Sequence, residues 1–242
     1  LSSAVEKAQK KIENNNFGIR KNLLEYDRVN NEQREVIYAE RRKVLEGANM
    51  RETVFKMAND VVEGCVDSCI SEDQDAENWD LRELNTLLLP IVPLAPITLT
   101  EDQKKHMTKK ELVQQLKAET VKHYEAKEAE FPEKEQLREV ERVILLRVID
   151  RKWMDHIDDM DQLRQGIGVQ AYGQRDPLQE YKFQGFEMFT GMIDAIAEDT
   201  VKALMNVRIE QKVEREQVAK VTGTNRDDSL AKAPVKRSEK KV

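Results

Sequence analysis

Two arms of regularly spaced apolar residues, joined by a glycine-rich turn, dominate the chain between Glu133 and Val207. Within each arm most apolar residues lie three or four positions apart, which places them on one face of a helix. The first arm carries Val140, Val143, Leu146, Trp153, Ile157, Met160, Leu163 and Ile167, and the second carries Leu178, Tyr181, Phe186, Phe189, Ile193, Ile196 and Leu204. The pattern predicts two long helices folded back on each other.

The segment between the arms, Gly166 to Gln174, contains three glycines. Glycine costs about 1 kcal/mol inside a helix and adopts the left-handed conformation freely, so this segment is predicted to be the turn. Asp176 and Pro177 then suit the N-cap and first position of the second helix. Tyr172 lies near the tip. From the pattern alone, the apolar tip side chains either tuck back onto the helix ends or form an exposed contact point.

A single long helix is predicted from Ser2 to about Glu46, with Gly47 as its stop. Its apolar face carries Val5, Ala8, Ile12, Ile19, Leu23, Tyr26, Ile37 and Val44. Polar Asn30 and Gln33 interrupt that face. A helix of this length spans roughly 65 Å and cannot bury its apolar stripe against itself. We therefore expect it to need partners along its length, and the hairpin is one candidate.

The region from Ala48 to Pro132 is predicted to be a small helical subdomain inserted between the long helix and the hairpin. The expected elements are a helix from Met50 to Ile70, an acidic loop at 71–78, a short helix at 80–88, an extended proline-rich segment at 89–100 and a helix from Thr108 to about Glu130. Thr108 and Glu111 have the spacing of a capping box.

The composition favours an all-α protein with much exposed surface. Charged residues make up 36% of the 242 residues, against about 25% in typical domains. The net charge is −6, and acidic and basic residues are interspersed, so no nucleic-acid partner is expected. The longest apolar run, Leu87 to Leu99, is broken by prolines and predicts no membrane span.

Sites of catalytic chemistry are scarce in the sequence. No Gly-Lys pair occurs, which excludes a phosphate-binding loop of the usual form, and no cofactor or metal site is expected. His156, with Asp155 and Asp159, is more simply explained as a solvated acidic flank than as a metal site. Cys65 and Cys69 lie one helical turn apart and suggest small buried residues in a reducing compartment.

Two further segments have a simple structural explanation and a functional alternative. The repeated prolines at positions 90, 93 and 96 suit a polyproline ligand, but a stiff connector over the subdomain core is favoured. The last residues, from about Thr222, carry mixed charges without an apolar face. They predict a disordered linker, with a polybasic lipid contact as the less favoured alternative.

Three sequence blocks resemble the C-terminal part of the SecA preprotein translocase family. They are NLLEYDRVNNEQR at 22–34, WMDHIDDMDQLRQGI at 153–167 and AYGQRDPLQEYK at 171–182. The resemblance implies an all-α fold with four parts: residues 1–47 as the first helix of a helical scaffold, 48–132 as a helical wing domain, 133–208 as the rest of the scaffold with its two-helix finger, and 209–242 as a C-terminal linker.

The resemblance also implies a function. The family couples ATP hydrolysis to the movement of unfolded preproteins through the Sec channel. This chain would be a non-catalytic part of such a motor: the scaffold links the ATPase domains, which hold ATP and Mg²⁺ and are absent from this sequence, to the finger at the channel. The expected partners are the preprotein, the Sec channel and the motor domains, and the location is cytoplasmic and peripheral on the cytoplasmic face of the plasma membrane.

By the same resemblance, the contact with preprotein and channel lies at the finger tip. Its residues are Ile167, Gly168, Val169, Gln170, Ala171 and Tyr172. Tyr172 occupies the position of the family's contacting tyrosine. The family often has His where Gly168 stands and a basic residue where Gln170 stands, so this tip is expected to be more flexible and less cationic than usual.

An alternative function is a free-standing coiled-coil interaction scaffold without a motor. Long amphipathic helices and a high charge content are compatible with it. The start of the sequence at Leu1 instead of Met argues against this alternative.

Overall fold

The described part of the chain folds into helices joined by connections of different lengths. The computed structural model describes residues 2–47, 50–170 and 176–207, and these contain no strand, so the predicted all-α class is confirmed. The α-helices of these ranges are α1 (Ser2–Leu45), α2 (Met50–Cys69), α3 (Leu81–Leu88), α4 (Glu101–His106), α5 (Lys109–Glu130), α6 (Lys134–Gln170) and α7 (Pro177–Asn206). A single 3₁₀ turn, Ala76–Asn78, lies between α2 and α3.

The first helix, α1, has two different halves. Its 44 residues match the predicted long helix, and Gly47 follows it with a positive φ of 88°, as expected for a helix stop. In the second half, Ile37 and Val44 are buried against the hairpin. In the first half, the large apolar side chains are each more than half exposed: Val5, Ile12, Phe17, Ile19, Leu23 and Leu24. The hairpin therefore covers only part of the predicted apolar face.

Helices α6 and α7 form the predicted antiparallel hairpin. Ile167 packs with Tyr181 near the tip, and Leu137 packs in one cluster with Leu204 at the other end. The N-cap prediction is confirmed, because the Asp176 side chain accepts a hydrogen bond from the backbone N–H of Leu178 at 3.0 Å, and Pro177 begins α7.

The predicted start of the turn at Gly166 is wrong, because α6 continues to Gln170. A glycine in a helix costs only about 1 kcal/mol. Burial of the next residue, Ile167, against Met160 and Tyr181 offsets a cost of that size.

The predicted apolar faces of the hairpin are only partly correct. Val143, Phe186 and Ile193 were assigned to the buried face, but all three are exposed, while Leu145, Ile149 and Met192 are buried. Both helices contact more than one neighbour along their length. The buried side therefore rotates around each helix instead of following one stripe.

The middle region surrounds a large apolar cluster, here called the middle core. It is formed by side chains of α2, α3 and α5, the proline-rich connector, and the ends of α6 and α7: Val54, Ala58, Val62, Val66, Ile70, Ala76, Trp79, Leu84, Leu88, Ile91, Val92, Ile97, Leu112, Val113, Leu116, Tyr124, Leu137, Val201, Leu204 and Met205. The helices expected in this region are present. The assignment of this region as a separate inserted subdomain, and the domain boundaries at 47/48, 132/133 and 208/209, remain predictions.

The proline-rich connector lies over the middle core, as favoured from the sequence. Ile91 and Ile97 are buried, and Leu94 packs against them in part. Asn85 holds the connector through its side-chain amide, which donates to the carbonyl of Ile97 at 2.9 Å and accepts from the N–H of Ile97 at 2.7 Å. These buried apolar side chains leave little for a polyproline-binding partner to recognise.

The predicted capping box at Thr108 and Glu111 is present and begins α5. Helix α4 was not predicted; it begins with a second capping box, formed by Thr100 and Gln103. Four residues of the six in α4 are charged, and none of them is buried. Without an apolar period, this short helix gives no signal beyond its cap.

Candidate functional site: the hairpin and its junction with α1

The predicted tip residues fall partly outside the described ranges. Ala171 and Tyr172 lie in residues 171–175, which the structure does not describe. The backbone of Gly168, Val169 and Gln170 belongs to the last turn of α6. Ile167 is 3% exposed and packs with Met160 and Tyr181. At Ile167 the structure follows the alternative in which a tip side chain tucks back onto the helices, so this residue is not an exposed contact.

Below the tip, α1, α6 and α7 meet at a site that we call the three-helix junction. It consists of Asn30 and Gln33 of α1, His156 and Met160 of α6, and Tyr181 and Gly185 of α7. Asn30 and Gln33 are the polar residues that interrupt the predicted apolar face of α1. The structure shows that both face the hairpin and bond to it.

Gln33 bridges both helices of the hairpin. Its side chain is 8% exposed, and its amide nitrogen donates to the backbone carbonyl of Gly185 at 2.9 Å. Its amide oxygen lies 2.9 Å from Nε2 of His156. Because an amide oxygen can only accept, His156 carries its proton on Nε2. One side chain of α1 thus satisfies polar groups on α6 and α7 together.

His156 is buried, which corrects the prediction of a solvated flank. The ring is 4% exposed and lies 5.7 Å, centroid to centroid, from both Trp153 and Phe189. Burial lowers the pKa of His156, and the nearby carboxylate of Asp159 opposes this shift. The imidazole is therefore neutral at pH 7. In the described ranges no group of three potential ligands is close enough to hold a metal ion.

A second bond and a close approach complete the junction. The Tyr181 hydroxyl donates to the side-chain oxygen of Asn30 at 3.0 Å, and its ring meets Tyr26 edge to face at 4.8 Å between centroids. A Cβ added at Gly185 would lie 2.8 Å from Cε of Met160. Glycine at this position therefore lets α7 come close to its neighbours.

Charged pairs flank the junction on both sides. Glu25 lies 3.5 Å from Lys182, and Asp27 lies 3.6 Å from Arg164. Towards the end of α1, Nε of Arg41 donates to Asp150 at 2.8 Å. These pairs are at least partly exposed, so solvent screens them and each contributes little to stability. What matters is the order of these pairs along α1, because it matches one alignment of α1 with the hairpin, and not the strength of any single pair.

A different polar cluster attaches the middle region to α6. Arg138 donates to the Tyr124 hydroxyl at 3.0 Å and to Oε1 of Glu141 at 2.5 Å, and it also contacts Glu128. Glu141 is fully buried, and its Oε2 has no hydrogen-bond partner among the described residues. Burial raises the pKa of Glu141 to about 7 against the opposing charge of Arg51. Sequence reasoning missed this residue because nothing in its spacing marks it as buried.

The two cysteines are free, and both are half-buried and pack against the middle core, whereas the sequence suggested buried residues. Burial, and secondarily Glu198, raises the pKa of Cys65 to about 11. Since the thiolate is the reactive form, the raised pKa disfavours reaction of the Cys65 thiol at neutral pH.

The fold therefore defines a class of helical scaffold in which one long helix carries a two-helix hairpin and a small helical subdomain. The sequence model of the family described as the SecA Wing and Scaffold domain matches residues 1–208. The chain belongs to this family.

Curated SecA proteins align with all or nearly all of the chain. The chain is 74% identical over 242 residues to the protein translocase subunit SecA of Lachnoclostridium phytofermentans. The aligned region is 100% of this chain and 28% of that protein. The chain is 49% identical to the protein translocase subunit SecA 1 of Alkaliphilus metalliredigens, over 97% of this chain and 26% of that protein. The chain thus spans little more than a quarter of the length of these relatives.

Proposed function

We propose that this chain is the non-catalytic transmission part of an ATP-driven protein translocase. Its scaffold would link ATPase motor domains to a finger that contacts preprotein at the Sec channel. The observation that carries the proposal is the match of residues 1–208 to the SecA Wing and Scaffold family, together with a two-helix hairpin that packs against α1. The chain offers no phosphate-binding loop, so ATP and Mg²⁺ would bind in the motor domains of the longer protein.

The exposed half of α1 supports a motor-domain partner. Six large apolar side chains between Val5 and Leu24 lie along one helix without burial. Isolated exposed apolar residues are ordinary, but a repeated set on one element marks an interaction surface. Relatives more than three times as long as this chain supply domains that could cover this surface.

The proposed location of this chain in the translocase is cytoplasmic, at the membrane surface beside the channel. None of the helices in the described ranges is long and apolar enough to cross a bilayer. Association with the membrane would then depend on the channel and on peripheral contacts. The C-terminal segment beyond residue 208, predicted to be a linker, lies outside the described residues.

Tyr172 is the proposed contact with the unfolded preprotein. An aromatic ring offers a large apolar area with few rotatable bonds, so it grips many sequences at a low cost in conformational entropy. Gly168, Val169, Gln170 and Ala171 would complete the contact at the tip.

The test is Tyr172→Ala in the full-length translocase that contains this chain. We expect preprotein translocation to fall about tenfold or more, the factor that corresponds to losing about 1.4 kcal/mol of contact, while the melting temperature stays the same. Tyr172→Phe, which keeps the ring, should retain most of the activity. Unchanged translocation by the alanine variant would contradict the tip contact, and ATP hydrolysis by this chain alone would contradict its non-catalytic role.

A further inference from the structure

The Gln33 bridge differs from every other contact described between α1 and the hairpin. The charged pairs Glu25–Lys182 and Arg41–Asp150 are partly exposed, and each joins α1 to a single helix. Gln33 is buried, and it bonds at 2.9 Å to α6 and at 2.9 Å to α7. Leaving a buried polar group without its partner costs more free energy than leaving an exposed one without it. The Gln33 bridge is therefore the contact that is most sensitive to the alignment of α1 with the hairpin.

We propose that Gln33 fixes the axial register of α1 against both helices of the finger, so that the three helices move as one body. Gln33 would be a positioning residue and not a contact with substrate. The register itself is a property of this chain, whereas its use in carrying motor movement to the tip rests on the proposed function.

Apolar packing alone does not define this register. Residues three and four apart on a helix share one face, so a slip of one turn replaces one apolar layer by the next. A slip that brings Val36 or Ile37 to the position of Gln33 would leave Nε2–H of His156 without an acceptor. A slip the other way would bring Val29, which has no acceptor, or Asn30, whose side chain is one methylene shorter.

The charged pair beside the junction selects the same register. Lys182 lies 3.5 Å from Glu25 in the structure. The slips that bring Val36 or Val29 to the junction would place Arg28 or Lys21, respectively, opposite Lys182. The other two slips would place Val29 or Asn22 there. No one-turn slip keeps both a long acceptor for His156 and a carboxylate for Lys182.

Close packing makes an intermediate position unfavourable. The backbone of α7 approaches α6 and α1 at Gly185, where an added Cβ would lie 2.8 Å from Met160 and 3.8 Å from Val29. Met160 is itself buried. The interface therefore offers discrete positions about one turn apart, and the Gln33 bridge selects one of them.

The register can be measured by electron paramagnetic resonance between spin labels on α1 and α7. Glu35→Cys and Lys202→Cys provide exposed label sites that lie far apart along the helix axes, in a full-length protein whose native cysteines, Cys65 and Cys69 among them, are replaced by alanine. We expect one distance in the unaltered junction. Gln33→Met keeps the side-chain length but removes the bridge, and should add a second population whose distance differs by up to about 5 Å, one helical pitch, because an axial slip changes the separation of axially distant labels.

Two further variants make the result decisive. His156→Phe removes the same bridge from the other side, so it should produce the same second population, and the double variant should add nothing to either change. Thr120→Val is the matched control, because it removes a buried hydrogen bond to the carbonyl of Leu116, at 2.8 Å, without touching α1. A single, unchanged distance in both Gln33→Met and His156→Phe would overturn the proposal.

The same variants separate the register from the proposed function. If Gln33→Met shifts the distance and lowers the amount of preprotein moved per ATP hydrolysed, while Thr120→Val does neither, both statements are supported. If the distance shifts but translocation per ATP is unchanged, Gln33 still fixes the register, and its role in transmission is contradicted. Failure of Tyr172→Ala with an intact register effect would count against the tip contact alone.

Discussion

The middle core and the three-helix junction are both buried, but different contacts hold them together. The middle core is a continuous apolar cluster, and buried Thr120 of α5 bonds to the carbonyl of Leu116 in its own helix. At the junction, Gln33 and Asn30 of α1 bond to residues more than a hundred positions away. Apolar contacts supply stability without demanding one alignment, whereas directed hydrogen bonds define one alignment at a smaller net gain. The middle core therefore mainly supplies stability, and the three-helix junction mainly defines the alignment of α1 with the hairpin.

The largest expected effect comes from a cavity in the middle core. Leu84 is fully buried, so Leu84→Ala should lower the free energy of unfolding by about 3 kcal/mol. Leu24→Ala, at an exposed site on α1, should change it by less than about 0.5 kcal/mol. Urea denaturation followed by circular dichroism measures both. Similar losses in the two variants would mean that the middle core does not dominate stability.

A smaller effect is expected at the junction. Gly185→Ala forces a Cβ against buried Met160, while Gly191→Ala meets no atom within 4 Å and gains helix propensity. We expect the two variants to differ in unfolding free energy by about 1–2 kcal/mol, with Gly185→Ala the less stable. Denaturant titration of the matched pair checks this. Equal stabilities would show that the junction repacks freely around Gly185.

The smallest change in stability at neutral pH is expected from ionisation. The two regions should nevertheless respond to pH in opposite directions, which makes this the sharpest contrast between them. The pKa of Glu141 is raised by burial to about 7, so its stabilising contribution is present below pH 4.5 and is lost as the pH rises through 7. The pKa of His156 is lowered by burial from 6.5, so its contribution is present above pH 6.5 and is lost as the pH falls through the folded-state value.

Hydrogen exchange measures this contrast by region. Protection factors in α5, where the middle region meets Arg138 and Glu141, should fall as the pH rises from 4.5 to 7. Protection in the second half of α1 should fall on acidification below 6.5. Glu141→Gln should flatten the first profile and leave the second unchanged. A common pH profile for both regions would contradict separate control by Glu141 and His156.

The sequence predicts local features well and distant contacts poorly. Gly47, Thr108 and Asp176 act within one helical turn, so their residue types sufficed to place a helix stop and two helix starts. The bond between Gln33 and His156 joins residues 123 positions apart. In the sequence Gln33 appears as a polar interruption of an apolar face and His156 as part of an acidic flank, and only the folded arrangement of three helices shows that one satisfies the other.

The hairpin shows the same limit within a single element. Its two helices follow from spacing, but the choice between Val143 and Leu145 as the buried residue depends on which neighbours surround α6. The helix also passes through Gly166, because burial of Ile167 outweighs a modest local penalty. Polar residues on an apolar helix face, such as Asn30 and Gln33, are therefore candidate interhelical contacts.

The uncovered first half of α1 has a consequence for how this chain melts. Helical segments without tertiary contacts are only marginally stable in water, and they fray from their ends. From Ser2 to Leu24, α1 has no buried apolar side chain to hold it. Heating should therefore produce a gradual loss of far-ultraviolet ellipticity before the main transition, and this sloping baseline should disappear once a binding partner encloses the free half of the helix.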